Sequence, residues 1–190
     1  MQAQLRNFLV LVLLMIFACA QAFADSTADR ITVFRGAGQS KAFFDKSYGY
    51  AVFPTIGKAA VGIGGAHGKG KVYVGGKYVG DTSMTQVTVG FQAGGQAYSE
   101  IIFFQDKAAF DAFTSGNFEF GAQASAVAIT AGASAQTGTT GTTAGASTTK
   151  NDATTAANYS NGVAVFTVAK GGLMYEASIG GQKFKYTPKK

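Results

Sequence analysis

Residues 64–80 read GGAHGKGKVYVGGKYVG, and two incompatible folds compete for them. Gly65 through Gly70 followed by Lys71 spell G-x-x-x-x-G-K, one residue short of a phosphate-binding loop. Such a loop needs Ser or Thr after the lysine, and it leads from a strand into a helix whose N-terminus holds the phosphate. Val72 stands in that position, and KVYVGGKYVG alternates around Gly75-Gly76, a two-residue hairpin signal. The dinucleotide fingerprint fails too, because after Gly62 and Gly64 the third glycine position holds His67. The stretch is a β-hairpin.

Closing the hairpin at Gly75-Gly76 pairs Val74 with Lys77, Tyr73 with Tyr78, Val72 with Val79 and Lys71 with Gly80. Directly opposed residues share a face. One face therefore carries Lys71, Tyr73 and Tyr78, joined by Lys69 if the strand starts early. The other carries Val72, Val74 and Val79, with Lys77 near the tip. Two readings follow for the first face: a solvated exterior with tyrosines as cross-strand filler, or a cationic, tyrosine-lined patch suited to membrane headgroups.

Working outward, glycine numbers 26 of 190 and proline 2, and the glycines fall inside alternating runs such as AAVGIGG at 59–65. Glycine within a strand marks a bulge, a bend or close approach of a neighbour. The expected fold is α+β, mostly β: a strongly curled antiparallel sheet or barrel-like core, with one or two N-terminal helices and one short mid-chain helix. Helix is expected at 26–35, where Ser26 and Asp29 have capping-box spacing, at 40–46, and at 106–114 with Ala109, Phe110 and Phe113 on one face. Strands are expected at 48–53, stopped by Pro54, then at 59–66, 71–74, 77–81, 85–91, 96–104, 118–131, 162–168, 174–179 and 183–186.

Residues 1–24 read as a cleaved export signal: Arg6, an apolar run from Phe8 to Ala18, and Ala22-Phe23-Ala24. Lipidation at Cys19, after Ile16-Phe17-Ala18, is the alternative. Residues 25–190 then form one domain with a flexible Gly/Ala/Thr loop at about 132–158, which has no large apolar residue to bury. The expected location is periplasmic, or peripheral on an envelope membrane.

Chemistry is sparse. Cys19 and His67 are the sole cysteine and histidine, so no catalytic triad and no histidine- or cysteine-based metal centre can be assembled. Asp106 and Asp111 do not share a helix face, and Glu100, Glu119 and Glu176 stand singly. No enzyme activity, cofactor or metal is expected. The formal charge of +6 is too diffuse for nucleic acid and suits an anionic surface.

Three segments carry a family resemblance: YGYAVFPTIGKAAVGIGGAHGKGKVYVGGKYVG at 48–80, VTVGFQAGGQAYSEIIFF at 87–104 and GVAVFTVAKGGLMYEASIGGQKF at 162–184. In that order they resemble the SYLF domain family from about Lys41 onward. The resemblance implies binding of anionic phospholipid, phosphoinositides in the eukaryotic members, partly through an amphipathic N-terminal segment. The corresponding stretch here, 29–46, offers Arg30, Arg35, Lys41 and Lys46 with Ile31, Phe34, Phe43 and Phe44. The lipid-binding candidates are thus Lys69, Lys71, Tyr73, Lys77, Tyr78, Arg30, Arg35 and Lys41. Two further classes remain: a protein-interaction module of the envelope, its partner unknown, and a small outer-membrane β-barrel, against which stand the short predicted strands and the Pro188-Lys189-Lys190 end.

Overall fold

The computed structural model describes residues 26–61, 63–89, 94–121, 124, 126–129, 158–170 and 179–190. The export signal, Cys19, nearly all of the Gly/Ala/Thr loop and most of the strand expected at 174–179 lie outside these residues.

Two helices come first. Helix α1 (Thr27–Gly36) starts at a complete capping box: Asp29 N donates to Ser26 Oγ (3.1 Å), and Ser26 N donates to Asp29 Oδ2 (3.3 Å). The chain breaks at extended Ala37, and α2 (Gly38–Lys46) follows, two residues longer at its start than expected. Ser40 Oγ donates to Phe34 O (2.6 Å) and fastens the two helices together.

The strands are β1 (Gly49–Val61), β2 (Ile63–Val74), β3 (Lys77–Val89), β4 (Gly94–Phe104), β5 (Val127–Ile129), β6 (Val163–Lys170) and β7 (Lys183–Pro188), with helix α3 (Lys107–Thr114) after β4. They make one seven-stranded sheet in the order β5-β6-β4-β1-β2-β3-β7, antiparallel except for the β5–β6 pair. The expectation of a strongly curled or barrel-like core is not met. Among the described residues the edges β5 and β7 do not pair, and the sheet is open. The physical reason lies in the burial pattern. Strands β1, β4 and β6 are apolar on both faces, in runs such as YAVF (50–53), IIFF (101–104) and VAVF (163–166), so two separate cores form where a barrel would enclose one.

On the inner face, Ala51, Phe53, Ile56, Ile102 and Phe104 pack with Phe113 of α3, Phe120 and Phe184. On the outer face, Tyr50, Val52, Ile101, Phe103 and Phe166 pack beneath Phe34 of α1 and Phe43 of α2. The N-terminal helices therefore cover only the β1–β4–β6 half of the outer face. Its β2–β3–β7 half alternates open and buried, with His67, Lys69, Lys71, Asp81 and Lys185 exposed.

Strand lengths also differ from expectation. Strands β1 to β3 run 12–13 residues, because separate predicted runs fuse, and β4 runs 11, two residues longer at its start than expected. Pro54 does not stop β1: the register to both neighbours shifts there, so its missing N–H costs no ladder bond. The run expected at 59–66 instead divides, and Val61 pairs with Ile63 across the β1–β2 reversal. Of the long strand expected at 118–131, the described residues show a bridge at Glu119 and the three residues of β5; 122, 123, 125, 130 and 131 lie outside them. Glycine serves close approach, as expected. A Cβ on Gly70 would lie 2.7 Å from both the Phe53 ring and Val52 O.

Candidate surface of lysines and tyrosines

The hairpin closes where the sequence indicated. Gly75 and Gly76 take φ of +55° and +77°, the left-handed pair that a tight two-residue turn needs. Val74 pairs with Lys77 and Tyr73 with Tyr78, but beyond them the register shifts, and Val72 meets Gly80 and Lys71 meets Asp81. Val79 is the extra residue. Its carbonyl accepts from Tyr186 Oη and from Lys189 N, both at 2.9 Å, so β7 and the segment after it fix the bulge. The expected pairs Val72–Val79 and Lys71–Gly80 are therefore corrected by one residue, which brings Asp81 into the lysine face.

On that face the side chains form a continuous chain of contacts. The Arg35 guanidinium sits 4.3 Å over the Phe44 ring, and Phe44 meets Tyr50 edge-on at 5.2 Å. Tyr50 stacks on Tyr73 at 5.1 Å, and Tyr73 meets Tyr78 at 6.0 Å. Lys71 Nζ and Lys189 Nζ lie 5.5 and 5.6 Å from the Tyr78 ring. Cation–π contact holds the ammonium groups over a ring without neutralising them. Burial pushes the Tyr50 phenol up, while its hydrogen bond with Arg35 pulls the other way. Burial also raises Tyr73, helped by Tyr50 and Asp81, and the hydrogen bond to Asp81 raises Tyr78.

The cross-strand rows extend the charge over three strands. Thr55, Lys69, Ser83 and Lys185 lie in register, as do Val52, Lys71, Asp81 and Thr187, and Gly57, His67, Thr85 and Lys183. Val87, 75% exposed, adds an apolar side chain to the same face. Lys183 Nζ pairs with Glu119 at 3.4 Å.

The structure thus joins Arg35, Lys71, Tyr73 and Tyr78 by contact and sets Lys69 beside them. It does not bring in Lys77, which lies opposite Val74 on the other face of the turn, and Lys41 is exposed on α2 outside these contacts. Burial, helped by the nearby charge of Arg30, pushes the Lys170 ammonium down to about 8. Sequence reasoning missed Phe44 and Tyr50 as members of the array, and Asp81, Lys185 and Lys189. The alternation KFKYTPKK marks Lys185 as facing outward, but nothing local identifies β3 as its neighbour. Among the described residues no group of three His, Cys, Asp or Glu side chains could hold a metal, and no helix is long and apolar enough to cross a membrane.

Two comparisons place this geometry. Beta cell expansion factor A of Aeromonas veronii is 33% identical over 156 residues, which is 81% of this chain and 51% of that protein. The chain therefore spans about half the length of this relative. The family model Ysc84, described as "Las17-binding protein actin regulator", matches residues 85–187, from within β3 to near the end of β7. That match covers more than half of the chain, which belongs to the Ysc84, or SYLF-domain, family.

Proposed function

We propose that this chain is a non-catalytic binding domain, exported to the cell envelope, that adsorbs to anionic phospholipid membranes through the open half of its outer face. One observation carries the reading. Lys69 and Lys71 on β2 and Lys185 on β7 stand exposed on either side of β3, beside the tyrosine array that ends on Lys71 and Lys189. Lysines near an anionic membrane contribute on the order of 1 kcal/mol each, and the contribution falls with salt. Tyrosine, apolar in body and polar at its tip, suits the headgroup layer.

Vesicle flotation of the chain without its signal tests this. Binding is expected to vesicles with anionic headgroups, to weaken with salt, and to fall when Lys69, Lys71 and Lys185 are changed together to Glu. Lys77→Glu, on the other face, serves as the matched charge control. Equal binding to neutral and anionic vesicles would sink the proposal. The family description supports a second reading, in which the same aromatic face meets a protein of the envelope; capture of one partner without lipid, abolished by the same triple change, would favour it.

A further inference from the structure

The inner core holds a group that the proposed surface does not use. Glu100 lies on β4 between its register partners Phe53 and Thr167, wholly buried. Its carboxyl takes one hydrogen bond, from Gln182 Nε2 to Oε2 (3.0 Å), and the same amide donates to Tyr98 Oη (3.2 Å). Glu100 Oε1, Gln182 Oε1 and Thr167 Oγ1, all buried, have no hydrogen-bond partner among the described residues. An ionised carboxylate in that position would have one donor for its two oxygens, whereas a protonated one carries no charge to solvate.

Gln182 belongs to the turn 179–182 laid over this face. The turn and the start of β7 are hydrogen-bonded to residues 118–121 and to Ala124: Phe120 N donates to Gln182 O (3.0 Å), Gly181 N to Phe120 O (3.0 Å), Ile179 N to Ala124 O (3.2 Å) and Phe184 N to Phe118 O (3.0 Å). Side chains pin this double layer to the sheet, through Gln182 on Glu100 and Tyr98 and through Gln86 Nε2 on Gly180 O (2.8 Å).

We infer that Glu100 is a proton-operated latch: the neutral acid lets residues 118–121 and 179–182 lie closed over the sheet, and ionisation opens them by requiring water at the carboxylate. Among the described residues, no facing group can substitute for that water. Tyr98 on β4 is the titratable neighbour and offers no positive charge, Phe53 on β1 and Thr167 on β6 are uncharged, and so is Gln182 on the turn. Glu119 and Lys183 pair with each other at the surface, and Lys58, half-buried on β1, lies beyond Ile56 in the inner-face rows. Burial pushes the Glu100 carboxyl up from 4.5 to about 7, with the Gln182 hydrogen bond opposing. The closed layer binds the proton more tightly than the open one. It is therefore fully held below 4.5, loosens as pH rises, and changes no further above about 7.

Hydrogen exchange of the 118–121 and 179–184 amides, compared at each pH with Glu100→Gln, reads the latch with intrinsic exchange cancelled. The opening constant of the native chain is expected to rise up to tenfold per pH unit across that window, roughly 300-fold in all, relative to the variant. Equal pH dependence in the two proteins overturns the inference. If Glu100→Gln does not fold, infrared titration of the native chain decides. A buried protonated carboxyl must persist above the ordinary carboxylate range and be lost near neutrality, and its absence there overturns the inference equally.

Discussion

Tyr50 on β1 and Tyr73 on β2 stack at 5.1 Å with 19° between their rings, at the line where the helix-covered half of the outer face meets its open half. Tyr50 is buried beside Phe44 and Phe103 under the N-terminal helices, whereas Tyr73 reaches out to Tyr78 and the lysines. The pair therefore couples the packing of α1 and α2 to the geometry of the candidate surface. A double-mutant cycle of Tyr50→Leu and Tyr73→Leu, followed by urea unfolding, is expected to return a coupling of about 1 kcal/mol. Additive effects would show that the two halves are independent.

Glycines with the same outward appearance in the sequence are expected to respond oppositely. Gly70→Ala forces a methyl against the Phe53 ring and Val52 O, and overpacking of this kind costs about 1–3 kcal/mol. Gly57→Ala, on the adjacent strand, meets nothing within 4 Å and removes chain entropy from the unfolded state, so its expected effect lies between neutral and about 1 kcal/mol stabilising. Urea midpoints of the two variants check both; equal destabilisation would contradict the packing described.

What was legible in the sequence was what neighbouring residues decide. Gly75-Gly76 fixed the turn and its first two pairs, and the capping box set the start of α1. Asp106 caps α3 through Ala109 N in the same local way. The bulge at Val79 was not legible, because the groups that hold its carbonyl, Tyr186 and Lys189, stand more than a hundred residues away. Passage of β1 through Pro54 depends on the registers of β2 and β4 together. The open sheet follows from helices covering one half of a face, and no hairpin signal carries that information.

The helix cover rests on Phe34, which is fully buried in the outer-face core and holds Ser40 Oγ through its carbonyl. Phe34→Ala is expected to cost about 3–5 kcal/mol. Ser26→Ala, which removes the cap at the exposed end of the same helix, is expected to cost about 1 kcal/mol. Thermal unfolding ranks them. A larger loss from Ser26→Ala than from Phe34→Ala would mean that local helix propensity, not docking on the sheet, maintains the cover.

Asp81 offers the sharpest probe of the surface, since it faces Lys71 in register and raises the Tyr78 phenol through a hydrogen bond. Neutralising it in Asp81→Asn leaves the lysines in place and removes one repulsive charge toward an anionic bilayer. At about 1 kcal/mol per charge near such a surface, partition to anionic vesicles should rise about fivefold at low ionic strength, and the gain should shrink with salt. Spectroscopic titration of the tyrosines should show Tyr78 moving down toward its ordinary range in the same variant. The two readouts separate two failures. A shifted Tyr78 with unchanged partition would leave the bulge register intact and remove this face from membrane contact. An unshifted Tyr78 would place the error in the Lys71–Asp81 register itself.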